Sequence, residues 1–334
     1  MEKVKMEDLR ISLTYNLRRS DDQPNEFIEQ EYVDRVRDAI SSLGHDVTPV
    51  EVTGPPDEVV DDILDSEPQL IFNLAEGVSS KGREAYYPSM FEILDIPYTG
   101  GGPAIMYVNL DKRLTLKLLE VNGIKVPRGR LITSTDDPLP DDMEFPVFIK
   151  PNYEGSSLGI GKDSVAHDRD EAEERIDELL REFEKGLTVE EFIQGRELTV
   201  PMLEAYPGQI LEIVEYEKKK GDDNILDHET KEADDKEEVL GIHCPADLEP
   251  VQRRAVLDMA RRTFDLMRTA DFGRVDLRMS EDGVPYLIEV TALPGLRPTS
   301  PVITAAEAEG LSYNDVVEHI IRSAVKRYFV DPDR

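Results

Sequence analysis

The sequence contains no tryptophan, a single cysteine at Cys244, and no apolar run of membrane-spanning length. One cysteine excludes an intramolecular disulfide. A helix needs about 20 consecutive apolar residues to cross a bilayer, so no membrane segment is expected. The opening stretch MEKVKMEDLR is charged and lacks the apolar core of a secretory signal. We therefore expect a cytoplasmic protein.

Basic residues are also scarce, because 39 Lys and Arg stand against 71 Asp and Glu, which gives a net charge of −32. Binding to nucleic acid needs Lys and Arg clustered on one face, so nucleic acid is not an expected partner. Apolar residues make up 39% of the chain and recur periodically, which is typical of globular proteins. At 334 residues the chain is long enough for two or three domains.

Two nucleotide-binding motifs are missing. No Gly-x-Gly-x-x-Gly follows the first predicted strand, and no Walker A loop occurs anywhere. The five His residues are scattered without the spacing of a metal site.

The first part of the chain has a β-α-β-α-β pattern, which predicts a parallel sheet. Its strands are predicted near residues 10–16, 46–52 and 69–74, and its helices near 27–43 and 57–65.

Residues 273–301 predict two strands followed by a loop. If Asp282 and Gly283 form a two-residue turn, Asp276 lies opposite Glu289. Two carboxylates directly across an antiparallel pair repel each other, so a bound cation is expected there. Magnesium is the expected ion, because carboxylates bind it together with substrate phosphates. The alternative is a solvated polar face on an edge hairpin.

The same register also predicts which side chains of this hairpin share a face. It pairs Arg274 with Thr291. Alternation places the apolar residues of the first strand on one face, namely Val275, Leu277 and Met279. In the second strand it places Leu287 on the polar face, beside Glu289.

An apolar strand within residues 145–162 carries Lys150 at its end and runs into a loop rich in Gly and Ser. Gly155 allows backbone amides to approach an anion closely, and Ser156 and Ser157 add donors. The pattern favours a phosphate-binding flap over the alternative, a flexible hairpin tip.

Residues 187–203 predict two strands around a turn at Gln194 and Gly195, with acidic residues on both sides. These carboxylates have the chemistry to accept hydrogen bonds from an adenine amino group and ribose hydroxyls, and the alternative is that they are edge charges. A polar segment over residues 218–238 is predicted to be a mobile loop over the site or a disordered stretch.

These residues, in this order, resemble the ATP-grasp superfamily, and most closely the D-alanyl-D-alanine ligases. The motifs that carry the resemblance are LDK at 110–112, IKPNYEGSSLGIG at 149–161, EEFIQGRELTV at 190–200, CPA at 244–246, RVD at 274–276 and IEVTALPG at 288–295. The resemblance implies an α/β fold with an α+β lid. It divides the chain into an N-terminal parallel α/β domain (1–107), a central lid (108–200) and a C-terminal catalytic domain with a mixed or antiparallel sheet (201–334).

The resemblance also implies a role for individual residues. Lys112 and Lys150 would neutralise ATP phosphates under a lid loop that includes Glu154, Gly155, Ser156 and Ser157. Glu190 would accept from the adenine amino group, with backbone at Glu191 and Ile193, and Glu197 would bind the ribose. Lys231 would close on phosphate from the mobile loop, Arg274 would stabilise the oxyanion, and Asp276, Glu289 and Thr291 would bind magnesium. Gly295 and Ser300 would hold the carboxylate of the second substrate.

The implied ligands are ATP, two magnesium ions with manganese as the alternative, and small-molecule amino-acid substrates, and a homodimer is left open.

The sequence departs from the family where the first substrate is held. LTYNLRRSDDQ replaces a Gly-Gly-x-Ser-x-Glu signature, Ala75-Glu76-Gly77 and Gly82-Arg83-Glu84 replace two further elements, Glu232 replaces a tyrosine, and Thr291 replaces an asparagine. Two hypotheses follow: an ATP-dependent carboxylate-amine ligase, which we favour, and a catalytically silent nucleotide-binding module.

Overall fold

A computed structural model of the protein describes residues 8–20, 27–78, 80–218 and 240–330. Lys231, which the resemblance places on a loop over phosphate, lies outside these ranges. So do Glu232 and nearly all of the polar segment predicted over residues 218–238. None of the helices in the described ranges combines the length and apolar character needed to span a membrane.

The first sheet is parallel, with strand order β2-β1-β3. Its strands are β1 (Arg10–Tyr15), β2 (Asp46–Glu51) and β3 (Leu70–Asn73), and its helices are α1 (Gln30–Ser42), α2 (Pro56–Asp65) and α3 (Tyr86–Ile93). Helix α2 begins with a proline whose missing N–H is not needed in the first turn. The predicted β-α-β-α-β order is confirmed.

The second sheet is antiparallel, with strand order β4-β7-β5-β6. Its strands are β4 (Gly129–Ile132), β5 (Val147–Pro151), β6 (Val165–Ala166) and β7 (Leu187–Glu191). Helix α6 (Arg169–Glu182) covers one face and buries Ala172, Ile176 and Leu179 in a separate core.

The third sheet has strand order β10-β9-β8-β11-β12 and is also antiparallel. Its strands are β8 (Gly195–Leu203), β9 (Val214–Lys218), β10 (Leu240–His243), β11 (Phe272–Ser280) and β12 (Pro285–Thr291). The remaining helices are α4 (Pro103–Leu110), α5 (Lys112–Val121), α7 (Pro250–Met267), α8 (Pro301–Ala308) and α9 (Tyr313–Val325). One parallel and two antiparallel sheets confirm the predicted α/β architecture.

The chain crosses between the second and third sheets at residues 192–194. The sequence predicted two strands around a turn here, and both strands exist. They do not pair, however, because β7 lies in the second sheet and β8 in the third. Gly195 has φ +145°, and a Cβ there would overlap the carbonyl oxygen of Met279. The close approach of β8 to β11 therefore requires glycine.

The hairpin of β11 and β12 pairs Asp276 with Glu289 and Arg274 with Thr291, as predicted. The predicted two-residue turn is wrong. Ser280 N donates to Val284 O at 3.0 Å, so the loop has three residues, and Gly283 supplies the positive φ of +80°. A β-bulge lies between the turn and the two carboxylates. It shifts the pairing back by one residue, so Asp276 still pairs with Glu289 as predicted.

The bulge also changes which residues of β12 face the core. Val275, Leu277 and Met279 are buried as predicted, on the face that packs against α5 and α7. Leu287 was predicted on the polar face, and this is wrong. It is fully buried with Val290, because the bulge at Ile288 reverses the alternation between them.

The first sheet and the last two helices share one core. Ile11 and Leu13 of β1 and Val36 of α1 belong to the same apolar cluster as Val317 and Ile320 of α9. Residues that are distant in sequence thus cover each other's apolar faces.

A buried carboxylate, Asp271, links the loop before α4 to the segment after α9. Asp271 is 0% exposed and accepts hydrogen bonds from Gly100 N at 2.8 Å and from Arg327 Nη2 at 2.7 Å. Burial raises the pKa of Asp271 to about 6, although the nearby Arg327 and the Gly100 amide act to lower it.

Candidate active site

Lys112 is the first residue of α5, and its ammonium group contacts both the loop after β5 of the second sheet and strand β12 of the third. Asp111 caps the helix by accepting from Leu114 N at 3.0 Å. The Lys112 Nζ atom donates to Glu154 O at 2.6 Å and lies 3.0 Å from Glu289 Oε1. The side chain of Lys112 is only 7% exposed. The lysine therefore sits between the predicted lid loop and the predicted metal carboxylates.

Lys150, at the end of β5, forms a second buried ion pair. Its Nζ atom lies 2.6 Å from Oε1 of Glu190 on β7, and both side chains are almost fully buried. The other carboxylate oxygen of Glu190, Oε2, is buried and has no hydrogen-bond partner within the described part of the chain. A buried acceptor without a donor is costly, so a ligand that supplies an N–H would stabilise this position.

Asp276 and Glu289 face each other across the hairpin, and each has a protein cation beside it. Arg274 Nε lies 3.3 Å from Asp276 Oδ2, and Thr199 Oγ1 donates to Asp276 Oδ1 at 2.7 Å. Lys112 pairs with Glu289, as described above. Arg274 and Lys112 thus already offset part of the repulsion between the two carboxylates, and magnesium at this position stays a prediction.

These cations shape the titration of Glu289. Its burial acts to raise the pKa, but Lys112, Lys150 and Arg274 together hold the pKa of Glu289 at about 2. The side chain is 30% exposed, so an ion or phosphate can reach it. A pKa this low keeps the Glu289 carboxylate ionised at every physiological pH.

The lid loop after β5 is held by contacts on both sides. Glu154 Oε1 lies 3.1 Å from Lys185 Nζ, and Ser156 and Ser157 both have positive φ, at 52° and 58°. Consecutive non-glycine residues in this conformation are strained, and such strain is common in loops that bind ligands. Gly155 precedes them, and its carbonyl oxygen accepts from Leu158 N.

Sequence reasoning missed the polar network that anchors this loop. Asn152 Nδ2 and the Tyr153 hydroxyl donate to the two oxygens of Asp111, at 2.8 Å and 2.7 Å. Thr188 Oγ1 on β7 donates to Asn152 Oδ1 at 2.6 Å. These three residues, Asp111, Asn152 and Tyr153, lie inside the motifs at 110–112 and 149–161. The motifs could therefore have marked them as candidate site residues, but could not have predicted their hydrogen-bond partners.

The crossing between sheets gathers the residues predicted for adenine and ribose. Arg278 Nε donates to Ile193 O at 2.6 Å, and Arg278 Nη1 lies 3.4 Å from Glu197 Oε2. The guanidinium also lies over the ring of Phe192, which stacks on Phe148 with ring centroids 6.1 Å apart. The role of Arg278 in ordering this segment was not predicted from the sequence.

Glu191, just before this segment, is fixed by backbone hydrogen bonding. Its N–H donates to Arg128 O at 2.8 Å, while the residue pairs with Val147 across β5. The structure thus brings together Lys112, Lys150, Glu190 and Glu289, and places Ile193 and Glu197 beside Arg278.

The loop after β12 carries Gly295 and Ser300. Leu296 N donates to the hydroxyl of Tyr32 at 2.6 Å, and Arg297 pairs with Glu29 at 2.9 Å, so the start of α1 holds this loop from the first sheet. Ser300 caps α8, because its Oγ accepts from Ile303 N at 3.4 Å.

Among the described residues, no group of three or more His, Cys, Asp or Glu side chains is arranged to hold a metal ion. Asp276 and Glu289, with Thr291 opposite Arg274, offer oxygen donors of the kind that magnesium prefers, and phosphate oxygens commonly complete such a site. The residues thus fit a metal that arrives with a phosphate ligand, and the unpartnered Glu190 oxygen fits an adenine amino group.

The family model for the C-terminal part of D-Ala-D-Ala ligase matches residues 127–322. A D-alanine–D-alanine ligase of Maridesulfovibrio salexigens is 31% identical over 86% of this chain and 90% of its own. An uncharacterized protein of Sinorhizobium fredii is 28% identical over 92% of this chain and 91% of its own. The crystal structure of D-alanine–D-alanine ligase from Bacillus anthracis complexed with ATP superposes with a TM-score of 0.74, at 18% identity, over 95% of this chain and 98% of that one.

The three sheets match the ATP-grasp fold, and the family model and the ligase relatives show an ATP-binding ligase that forms C–N bonds. Within that class, the chain belongs to the D-alanine–D-alanine ligase family. This membership makes the chain an ATP-dependent ligase.

Proposed function

We propose that the protein activates the carboxylate of one amino acid with ATP and joins it to the amine of a second, through an acyl phosphate, with release of ADP and phosphate. The observation that carries this proposal is the arrangement of Lys112, Lys150 and Arg274 around the carboxylates of Asp276 and Glu289. A carboxylate is a poor acyl donor, so charge must be neutralised twice, during phosphate transfer and at the oxyanion of the amide-forming step.

Each residue has a place in that proposal. Lys112 and Lys150 neutralise phosphate oxygens, Ser156 and Ser157 cover them, Glu190 with Glu197 orients the nucleotide, and Arg274 stabilises the oxyanion. Asp276, Glu289 and Thr291 would hold magnesium, with manganese as the alternative, and that ion would neutralise charge on the phosphates. Gly295 and Ser300 hold the carboxylate of the amine substrate.

We also propose that the chain divides into three parts along its sheets. The sequence placed the second boundary at residue 200. The membership of β8 in the third sheet supports a boundary within residues 192–194 instead. Lys231, a homodimer and a cytoplasmic location remain predictions from the sequence.

The test is release of ADP by the purified protein across a panel of D- and L-amino acids, singly and in pairs, with mass spectrometry of the products. Amino-acid-stimulated ADP release with a dipeptide of matching mass is the expected result. ATP binding without stimulated turnover for any pair contradicts the proposal.

A further inference from the structure

The loop between β12 and α8 carries Gly295 and Ser300, the residues proposed to hold the carboxylate of the amine substrate. Two neighbouring residues of this loop differ in their surroundings. Leu296 is 0% exposed and belongs to the core shared by the first sheet and α9. Gly295 is exposed, and a Cβ there would meet no atom of the described residues within 4 Å apart from its chain neighbours. Gly295 therefore borders open space, and Leu296 anchors the loop beside it.

The backbone N–H of Leu296 is buried and has its acceptor in a distant part of the chain. It donates to the hydroxyl of Tyr32 at 2.6 Å, across 264 residues of sequence. Tyr32 lies in the first turn of α1, is 7% exposed, and belongs to the same core cluster as Leu296. A buried backbone N–H needs a partner, and Tyr32 supplies one through a side chain that the core holds in place.

Arg297, the next residue of the loop, makes weaker contacts with the same helix. Its guanidinium lies 5.4 Å from the centroid of the Tyr32 ring, and its Nη2 atom lies 2.9 Å from Oε2 of Glu29. The side chains of Arg297 and Glu29 are 44% and 49% exposed, and contacts of charged groups at such exposure contribute little. A buried N–H without an acceptor is costly in comparison. The hydroxyl of Tyr32 is therefore the contact that chiefly fixes the loop.

Gly295 depends on this anchor. Glycine has the widest range of backbone conformations, so the direction of its N–H is fixed only when its neighbours are held. The peptide unit that joins Gly295 to Leu296 is fixed by the Tyr32 hydroxyl, and the buried ring of Pro294 restricts the backbone on the other side. A donor that is already directed at a carboxylate binds it without the entropic cost of ordering the loop.

We propose that Tyr32 is a positioning residue for the amine substrate: its hydroxyl fixes Leu296 and thereby directs the Gly295 N–H toward the carboxylate of that substrate. This inference rests on the proposed ligase function and adds a residue of α1 to its amine site. Tyr32 acts through the loop and does not contact the reacting atoms. Because the positioned donor serves a carboxylate, Tyr32 favours amino acids over amines that lack one.

The experiment compares Tyr32→Phe with the parental protein, using the amino-acid pair that the parental protein turns over best. The variant keeps the ring in the core and removes only the acceptor of Leu296 N. The KM of the amine substrate should rise about tenfold or more, because the buried N–H loses its partner and Gly295 loses its fixed direction. The KM values of ATP and of the activated amino acid should not change.

Two further variants separate the hydroxyl from its surroundings. Tyr313→Phe is the matched control, because Tyr313 packs against the same core and its buried hydroxyl has no hydrogen-bond partner in the described part of the chain. It should leave every KM unchanged. Arg297→Ala removes the ion pair with Glu29 and the contact with the Tyr32 ring but keeps the hydroxyl bond, so it should raise the amine KM less than Tyr32→Phe does.

A second readout isolates the carboxylate of the amine substrate. Hydroxylamine has no carboxylate, and its nitrogen attacks the same acyl phosphate, displaces phosphate and forms a hydroxamate. The KM of hydroxylamine should be equal in the parental protein and in Tyr32→Phe, and this reaction also shows that the variant is folded and active.

Three outcomes would overturn the proposal: an equal loss with hydroxylamine, an amine KM in Tyr32→Phe within about twofold of parental, or a larger loss in Arg297→Ala than in Tyr32→Phe. Absence of amino-acid-stimulated ADP release by the parental protein would instead overturn the ligase function, and this inference with it.

Discussion

The charges of the site are stored as pairs, Lys112 with Glu289, Lys150 with Glu190 and Arg274 with Asp276. Phosphates that bind to Lys112 and Lys150 must therefore compete with the carboxylates already paired with these lysines. Removing one member of a buried pair leaves the other uncompensated, at a cost of about 3–5 kcal/mol, so each acidic residue also protects its partner. Single-residue changes here should affect both binding and local order.

Glu289→Gln should lower the rate of ADP release at saturating ATP and magnesium by about 100-fold or more, because it removes a carboxylate from the proposed metal site and the partner of Lys112. The change leaves the apolar side of β12 intact, so the far-ultraviolet circular dichroism spectrum should not change. Glu281→Gln, at the exposed turn of the same hairpin, is the matched control and should keep parental turnover. If Glu289→Gln also keeps near-parental rates, the hairpin has only a structural role.

Ser300→Ala should raise the apparent KM of the amine substrate by about 10- to 100-fold, since a hydrogen bond to its carboxylate is lost. The structure adds a second effect, because Ser300 caps α8. Alanine at a cap costs about 0.5–2 kcal/mol, whereas glycine costs only a few tenths. Ser300→Gly should therefore show the same change in KM with a smaller fall in melting temperature. A KM for ATP that rises while the amine KM stays constant would place the amine substrate elsewhere.

At the scale of elements, the sequence predicted the β11–β12 register at the carboxylates correctly, although the predicted turn was wrong. The extra loop residue shifts the pairing by one, and the bulge at Ile288 shifts it back. Alternation alone cannot reveal two irregularities that compensate each other, because the register at Asp276 and Glu289 is the same with both of them as with neither. The burial of Leu287 was missed for the same reason.

The separation of β7 from β8 was also beyond the sequence. Both segments have the composition of strands and adjoin a glycine, and this pattern does not tell a hairpin from a crossing between sheets. The crossing is specified by contacts distant in sequence, such as Arg278 with Ile193 O. Motif order, in contrast, drew attention to Lys112, which a helical pattern alone would not distinguish, and the structure places Lys112 against Glu154 and Glu289.

Gly195→Ala should disturb this crossing severely, because the new Cβ would overlap the Met279 carbonyl at a φ that alanine rarely adopts. Arg278 also donates to Gly195 O, so the nucleotide segment should shift with it. We expect a lower melting temperature and a KM for ATP raised by about tenfold or more. Gly208→Ala is the matched control, with φ +94° but nothing within 4 Å of its Cβ. Equal effects of the two substitutions would mean that backbone strain alone, without the close approach, explains the loss.

At the scale of the molecule, Asp271 connects the loop between α3 and α4 to the segment after α9 through Gly100 and Arg327. Its pKa of about 6 in the folded protein exceeds the ordinary 3.8, so the folded state binds the proton more tightly than the unfolded state. The contribution of Asp271 to stability is therefore fully present below about pH 4 and declines as pH rises through about 6.

Asp271→Asn should abolish this dependence, because the amide does not titrate. Relative to the parental protein, the variant should become more stable by roughly 2–2.5 kcal/mol on going from pH 4 to pH 7, because the folded and unfolded pKa values of Asp271 differ by about two, each pKa unit corresponds to about 1.4 kcal/mol, and the unfolded carboxyl is already partly ionised at pH 4. Unfolding midpoints of both proteins across this range provide the measurement. Asp258→Asn, at an exposed position on α7, should follow the parental curve. Parallel curves for Asp271→Asn and the parental protein would contradict the assignment.

The core shared by the first sheet and α9 has a consequence for how the chain is made. Ile11 and Leu13 leave the ribosome about 300 residues before Val317 and Ile320, which cover them in the folded protein. At about 5–20 residues per second, the nascent first sheet waits on the order of 15–60 s with one apolar face exposed. Folding of this region must therefore wait until α9 has been synthesised, and until then the exposed apolar face is a natural binding site for chaperones.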